Sequence, residues 1–239
     1  MERKKKKFRK LGGHSVLTAV AALFLSLPTN AQTYGNRTYN PRTGQFEYSD
    51  SYQEHRFKRG AVYYGFRMGI TFATVNSDDK ALDGGSSRTG LGFGGYLGYF
   101  LSRDVPVFLE SGVEYRAKGG RSTYEGKKMS YDLNYLEVPV VVKYSYVVDR
   151  HFSIQPFAGG YFAMGLGGKI KNYGDRVAES SFSGKYFKRF DGGLRIGCGF
   201  GFDMFYADIS YDLGLTNISH DEFDSSHNRC LSLNFGVNF

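Results

Sequence analysis

From Val62 to Phe239, apolar side chains recur at every second residue, and this period constrains the fold more than any other feature. The final stretch shows it most plainly. Leu231, Leu233, Phe235, Val237 and Phe239 alternate with Ser232, Asn234, Gly236 and Asn238. Successive side chains of a strand point to opposite faces, so one face here is apolar and the other polar. Phe205, Ala207, Ile209, Tyr211, Leu213 and Leu215 alternate in the same way with Tyr206, Asp208, Ser210, Asp212, Gly214 and Thr216. Phe190, Leu194, Ile196, Cys198 and Phe200 alternate with Asp191, Gly193, Arg195, Gly197 and Gly199. The pattern further predicts strands near 152–168, 131–146, 106–118, 89–101 and 62–75, which makes eight. In the first of them, Tyr64, Phe66, Met68, Ile70 and Phe72 share a face opposite Gly65, Arg67, Gly69 and Thr71.

The lengths of the connections discriminate among all-β folds. The expected long connections are 76–88, 119–130, 169–185 and 217–228. The short ones are 102–105, 147–151 and the pair Asp203-Met204. Long and short alternate, as in membrane barrels with short periplasmic turns and longer external loops. Each strand also reaches the 9–11 tilted residues needed to cross a bilayer. The expected fold is an all-β, eight-stranded antiparallel up-and-down transmembrane β-barrel over residues 60–239.

In such a barrel the polar faces turn inward. They carry Arg67, Glu110, Glu114, Arg116, Lys118, Glu137, Lys143, Asp191, Arg195, Asp208 and Asp212. Buried charges persist only when paired, so these residues predict a salt-bridged polar plug. An ion or solute path is the alternative, but eight strands enclose a space that side chains fill, and open channels need about 16. Gly92, Gly94, Gly98, Gly193, Gly197 and Gly199 also face inward and leave room for larger neighbours. Glycine makes up 32 of the 239 residues, roughly double the ~7% of ordinary proteins. Cys198 and Cys230 fall on opposite faces, which predicts free thiols.

The N-terminal segment sets the compartment. Arg3, Lys4, Lys5, Lys6, Lys7, Arg9 and Lys10 precede an apolar run from Val16 to Leu27, and small residues lie just before Gln32. This is the secretory signal pattern, with cleavage expected between Ala31 and Gln32. The apolar run is too short to span a membrane as a helix. Residues 1–31 hold seven of the 31 basic residues and one of the 23 acids, leaving 24 against 22. Net charge therefore gives no support for nucleic-acid binding. Residues 32–59 are polar and turn-rich and read as a flexible leader.

No motif supplies chemistry. The segment His220-Asp-Glu-Phe-Asp-Ser-Ser-His227 groups two imidazoles with carboxylates and hydroxyls. Its spacing fits no known metal site, and a solvated loop explains it better than a metal site or a hydrolase centre. No cofactor is expected. Lys127, Lys128, Lys169, Lys171 and Arg176 lie in external connections and could meet lipopolysaccharide phosphates.

Three phrases carry a family resemblance. They are Tyr135-Leu-Glu-Val-Pro-Val-Val-Val-Lys-Tyr144, the run Phe187-Lys-Arg-Phe-Asp-Gly-Gly-Leu-Arg-Ile-Gly-Cys-Gly-Phe200, and Tyr211-Asp-Leu-Gly-Leu-Thr-Asn-Ile-Ser219. Together they resemble the PorT-like outer-membrane β-barrel family common in Bacteroidetes, over roughly residues 60–239. The segment Leu231, Leu233, Phe235, Val237, Phe239 resembles the terminal signal read by the barrel-assembly machinery. The resemblance implies a barrel in the outer membrane and, through PorT itself, a link to protein secretion; the expected role is a non-enzymatic structural or accessory one. It supplies no catalytic residue. A small solute channel or ligand-binding barrel is the rival reading, an adhesin is another, and an envelope hydrolase using residues 217–228 is a weaker one. Pro139 lacks an amide donor, so a bulge or local irregularity is expected there.

Overall fold

The computed structural model describes residues 37–40, 45–48, 62–78, 86–101, 106–124, 127–148, 151–172, 177–184, 186–220 and 225–239. All regular elements among them are strands. They are β1 (Arg37–Asn40), β2 (Gln45–Tyr48), β3 (Val62–Ser77), β4 (Ser86–Phe100), β5 (Val107–Tyr124), β6 (Lys127–Tyr144), β7 (Tyr146–Val147), β8 (Phe152–Gly167), β9 (Lys169–Asn172), β10 (Val177–Ser180), β11 (Phe190–Phe202), β12 (Phe205–Gly214) and β13 (Ser226–Asn238). Among the described residues no helix is long and apolar enough to cross a membrane. Residues 1–31, and with them the Ala31–Gln32 cleavage expectation, lie outside the described residues.

Eight strands form a closed antiparallel barrel in the order β3, β4, β5, β6, β8, β11, β12, β13 and back to β3. The closing seam is continuous. It runs from Ser226↔Ser77 to Asn238↔Gly65. Tyr64 and Phe239 then exchange amide-to-carbonyl bonds of 3.0 and 2.7 Å. Closure matters because hydrocarbon offers no water to satisfy a free strand edge. The outward faces carry Phe66, Met68, Ile70, Leu91, Phe93, Phe162, Phe190, Ile196, Ile209 and Phe235, all exposed as side chains facing lipid must be. Tyr99, Tyr144, Tyr146, Phe202 and Phe205 form an aromatic girdle at the end bearing the Asp203–Met204 turn. At the other edge of the belt Phe93 stacks on Tyr115 at 5.2 Å. Short turns are periplasmic in such barrels, so the Asp203–Met204 end is the periplasmic one.

The strand count and face assignment match the expectation, but several connections do not. The expected 119–130 loop is mostly strand. β5 and β6 pair without interruption from Arg116↔Tyr135 to Tyr124↔Lys127 and project beyond the barrel rim as a long hairpin. The strict alternation of long and short connections therefore fails at this position. The apolar alternation marks only the part of a strand that faces lipid, and it stops before the pairing does. The 169–185 connection contains β9 and β10, and β9 adds to the projecting part of β6 through Met129↔Asn172, Ser130↔Lys171 and Tyr131↔Ile170. β13 begins at Ser226, so its first three residues fall inside the expected 217–228 connection. The 32–59 leader contains the β1–β2 ribbon, whose strands are joined through the Pro41-Arg-Thr-Gly44 segment.

Pro139 brings the expected irregularity in the form of a gap in the ladder. The β5–β6 pairing lapses between Ser111↔Val140 and Glu114↔Glu137, yet the register is the same on both sides. The missing amide interrupts the ladder without a bulge, and the Ser111 hydroxyl donates to the Pro139 carbonyl at 2.8 Å. Register shifts occur instead between Ser87 and Gly92 against β5, and between Asn134 and Tyr135 against β8.

Candidate functional site

The lumen is the place where the fold gathers chemistry. Every second residue of eight strands converges there, and in its periplasmic and central parts most of the large side chains are polar. All eleven charged positions read as inward-facing are buried: Arg67, Glu110, Glu114, Arg116, Lys118, Glu137, Lys143, Asp191, Arg195, Asp208 and Asp212. Five are cations and six are carboxylates, so most of the charge is matched within the barrel.

The charges fall into layers. Nearest the periplasm, Arg67 grips Glu110 with both terminal guanidinium nitrogens, at 2.8 and 2.6 Å. Lys143 donates to the same carboxylate at 2.7 Å and to the Tyr206 hydroxyl at 2.9 Å. The Tyr63 hydroxyl donates to Glu110 as well. Arg67 lies between the rings of Tyr96 and Tyr206, 4.1 and 4.0 Å from their centres. A guanidinium binds aromatic faces and a carboxylate at once, which an ammonium does less well.

The central layer is a six-membered ionic lattice. Arg195 donates to both oxygens of Asp212, at 2.6 and 2.9 Å, to Glu137 at 2.9 Å, and to Glu114. Arg116 donates to Glu114 at 3.0 Å and to the Ser232 hydroxyl. Lys118 pairs with Glu137 at 2.5 Å and Asp212 at 3.2 Å, at angles that favour attraction over hydrogen bonding. The Tyr96 hydroxyl donates to Glu114. Three cations thus neutralise three carboxylates, and the six residues are contributed by β5, β6, β11 and β12. To either side, Asn234 donates to Asp208 at 2.7 Å, and Asn228 donates to Asp191 at 2.8 Å.

The inward glycines make this packing possible. A Cβ at Gly98 would overlap the Tyr63 ring, one at Gly197 the Phe157 ring, and one at Gly199 the Tyr206 ring. Large side chains of one strand therefore lie across bare backbone of another. The result leaves no free lumen at this level: Lys118 and Glu137 have 0% exposure, and Arg116 and Lys143 have 1%. A water-filled pore would leave such groups wet.

Toward the external end the lumen turns apolar. Val75, Leu133, Tyr131, Tyr135, Tyr161 and Ala163 face inward and are buried against Ile170, Phe182, Phe187 and Ile218 from the external connections. Phe187 is held over the mouth by bonds of its segment to two neighbours. Its amide donates to the Ser181 carbonyl at 3.1 Å, and the Lys188 amide donates to the Ile218 carbonyl at 2.7 Å. The cap residues Phe182, Phe187 and Ile218 were not legible in the sequence because they lie outside any alternating segment. The tyrosines that clamp the ionic layers were signalled only by their inward parity.

The remaining candidates do not assemble into a site. His227 contacts the Thr216 carbonyl at 3.1 Å and the Ser225 hydroxyl at 3.3 Å, while residues 221–224 lie outside the described residues. Among the described residues no group of three or more His, Cys, Asp or Glu could hold a metal. Cys198 and Cys230 are both free. Lys169 and Lys171 are exposed, and Arg176 lies outside the described residues.

A closed eight-stranded barrel with an apolar exterior and an ion-paired interior defines an outer-membrane barrel protein. Residues 30–220 match the family model described as outer membrane protein beta-barrel domain, and the chain belongs to that family. No curated protein sequence matches. Among solved structures, the chain is similar to Ail, the attachment invasion locus protein of Yersinia pestis, with 16% identity and a TM-score of 0.42 over 76% of this chain and 99% of that one. It is also similar to Neisserial surface protein A, with 12% identity and a TM-score of 0.47 over 74% and 97%. A major outer membrane protein from Thermus thermophilus gives 13% identity and a TM-score of 0.47 over 75% and 100%.

Proposed function

We propose that this barrel is a non-enzymatic structural or accessory component of the outer membrane, with a lumen closed to solutes. The observation that carries this reading is the ionic lattice of Glu114, Arg116, Lys118, Glu137, Arg195 and Asp212, buried to 4% exposure or less. Moving a solute through it would require separating charges that have no water to receive them. The small-channel reading predicts discrete conductance steps in planar bilayers. The expected trace is flat, and reproducible steps at low voltage would overturn the proposal.

The finer assignment is to the PorT-like group, on the phrases around Glu137, Asp191 and Asp212. In this reading residues 1–31 direct export and are cleaved after Ala31, and Leu231, Leu233, Phe235, Val237 and Phe239 engage the barrel-assembly machinery. External lysines face lipopolysaccharide. The closed lumen directs attention to the projecting β5–β6–β9–β10 sheet and the leader as the parts that meet other envelope proteins, including secretion components. Deleting the gene and following exported proteins tests this. Cargo retained in the periplasm supports the secretion role, and unchanged export restricts the protein to envelope structure.

A further inference from the structure

The projecting sheet has two unlike faces. Its inward face, with Tyr131 and Ile170, is buried under the cap. Its outward face is bare and basic. Strand pairing sets one row across five strands, Ser86–Arg121–Ser130–Lys171–Ala178, from β4 through β5, β6 and β9 to β10. The next row toward the hairpin tip holds Thr123 opposite Lys128. The next toward the membrane holds Asp132 on β6 and the Lys169–Ser180 pair. Arg121, Lys128, Lys169 and Lys171 are exposed, and none takes part in an ion pair among the described residues. The one acid described on this face, Asp132, is already matched by Arg88 at 2.9 Å. Between the four cations lie only small or hydroxyl-bearing side chains.

Height decides which anion this face meets. Tyr115 marks the edge of the apolar belt, and Arg121 lies six residues further along β5, or about 20 Å. At a strand tilt of about 35–45° this places the row about 15 Å above the hydrocarbon. Headgroups extend only about 5–8 Å beyond the hydrocarbon on each side. The row thus stands clear of the lipid phosphates, in the outer medium. Ser130 is at its centre, one strand spacing of about 4.8 Å from both Arg121 and Lys171 and two residues, about 7 Å, from Lys128. Three cations around one hydroxyl make a seat for a single anionic group, and Lys169 extends it to a second. Among its described residues the face offers no aromatic ring for a nucleic-acid base to stack on. It offers no apolar anchor for a protein interface.

We propose that the outward face of β5, β6 and β9 binds a linear acidic polysaccharide from the medium, with its carboxylates or sulfates on Arg121, Lys128, Lys169 and Lys171. Such a chain is polar throughout and repeats its charge at regular intervals. It matches cations spaced about 7–10 Å apart on a pleated surface of small side chains. The Ser130 hydroxyl is available to the sugar or to its anionic group. The inference rests on the external placement of the hairpin and goes beyond the structural role proposed above.

The test uses the full-length barrel purified in mild detergent, with immobilised polygalacturonate, dextran sulfate and neutral dextran as probes. Wild type is expected to bind an acidic chain and to ignore neutral dextran, and which acidic chain it prefers tells carboxylate from sulfate. Binding should be lost as salt rises from about 0.1 to 1 M, where the screening length falls from about 10 to 3 Å. Arg121→Glu with Lys171→Glu should weaken it at least about ten-fold, since two attractions become repulsions. Arg229→Glu, exposed on the wall across the barrel, should match wild type, whereas Lys171→Glu, with the same change in net charge, should not. A heat-dependent gel shift establishes that each variant is folded, separately from the binding result. Failure of wild type to bind either acidic chain, or equal losses in Lys171→Glu and Arg229→Glu, would overturn the proposal. Retention of lipid A through Arg121 and Lys171, with neither glycan bound, would also overturn it and assign these cations to the lipid.

Discussion

The two ends of the lumen are sealed by different physics. The periplasmic and central layers are closed by strand residues that carry charge, and each ion is held by partners on other strands. Arg195, for example, joins β11 to Glu114 on β5, Glu137 on β6 and Asp212 on β12. The external end is closed by connection residues that carry no charge, with Phe182, Phe187 and Ile218 laid onto Tyr131, Leu133 and Tyr135. The ionic seal is tied to the barrel and can open only if the barrel does. The apolar cap is joined to the strands at its margins, where the Ile218 amide donates to the Ser226 carbonyl at 2.9 Å and the Ser181 hydroxyl to the Asp132 carbonyl at 2.7 Å, and can open while the barrel stays closed. Stability and local mobility should therefore separate along the barrel axis.

The largest effect is expected at the centre of the lattice. Arg195→Ala leaves Glu114, Glu137 and Asp212 converging with one cation fewer. Breaking a buried ion pair from one side costs about 3–5 kcal/mol. Urea unfolding in detergent, followed by the gel shift, should show that loss across the whole barrel. A loss below about 1 kcal/mol would mean that the lattice is hydrated and weakly coupled. In the cap, Phe187→Ala removes a buried ring, a change that typically costs about 3–5 kcal/mol. Here the cost should fall on local opening. Amides of 181–188 and 215–220 should exchange faster with deuterium while those of β12 and β13 keep their protection. Faster exchange throughout would show that cap and barrel unfold together.

How much of this was readable from sequence follows the same division. The ionic layers were legible because alternation assigns Arg67, Glu137 or Asp212 to a face before any partner is known. Which carboxylate each cation takes was not, since it depends on stagger between strands such as β5 and β11, which do not pair with each other. Lys143 was readable as inward, but its sharing of Glu110 with Arg67 was not. The cap was invisible because Phe182 and Phe187 lie in a segment without a period, where burial comes from folding back. The extent of β5 and β6 was missed for a related reason. Past Lys118 the hairpin leaves the bilayer, so its outward residues Arg121 and Thr123 lose the apolar mark, though backbone pairing continues to Tyr124↔Lys127.

The smaller effects sharpen the comparison further. Replacing Arg67, Glu110 and Lys143 together by Met, Leu and Met removes the charges and their need for partners, and leaves the Tyr63 and Tyr206 hydroxyls without the groups they bind. Such exchanges often leave stability within about 1 kcal/mol or raise it, in contrast to Arg195→Ala alone. A large loss in the triple variant would assign the layer a role in shape, through the stack of Arg67 between Tyr96 and Tyr206. The last expectation is of no change at all. Phe182→Ser with Phe187→Ser should loosen the cap, yet bilayer recordings of this variant should stay as flat as those of wild type. Beneath the cap, Lys118, Glu137, Arg195 and Asp212 still fill the cross-section, and an ion entering from outside would meet fixed charges without water. Conductance on loosening the cap alone would show that the ionic layers conduct when wet and that the cap is the gate. Conductance only after adding Arg195→Ala would locate the seal in the lattice and leave the cap as a lid over a closed barrel.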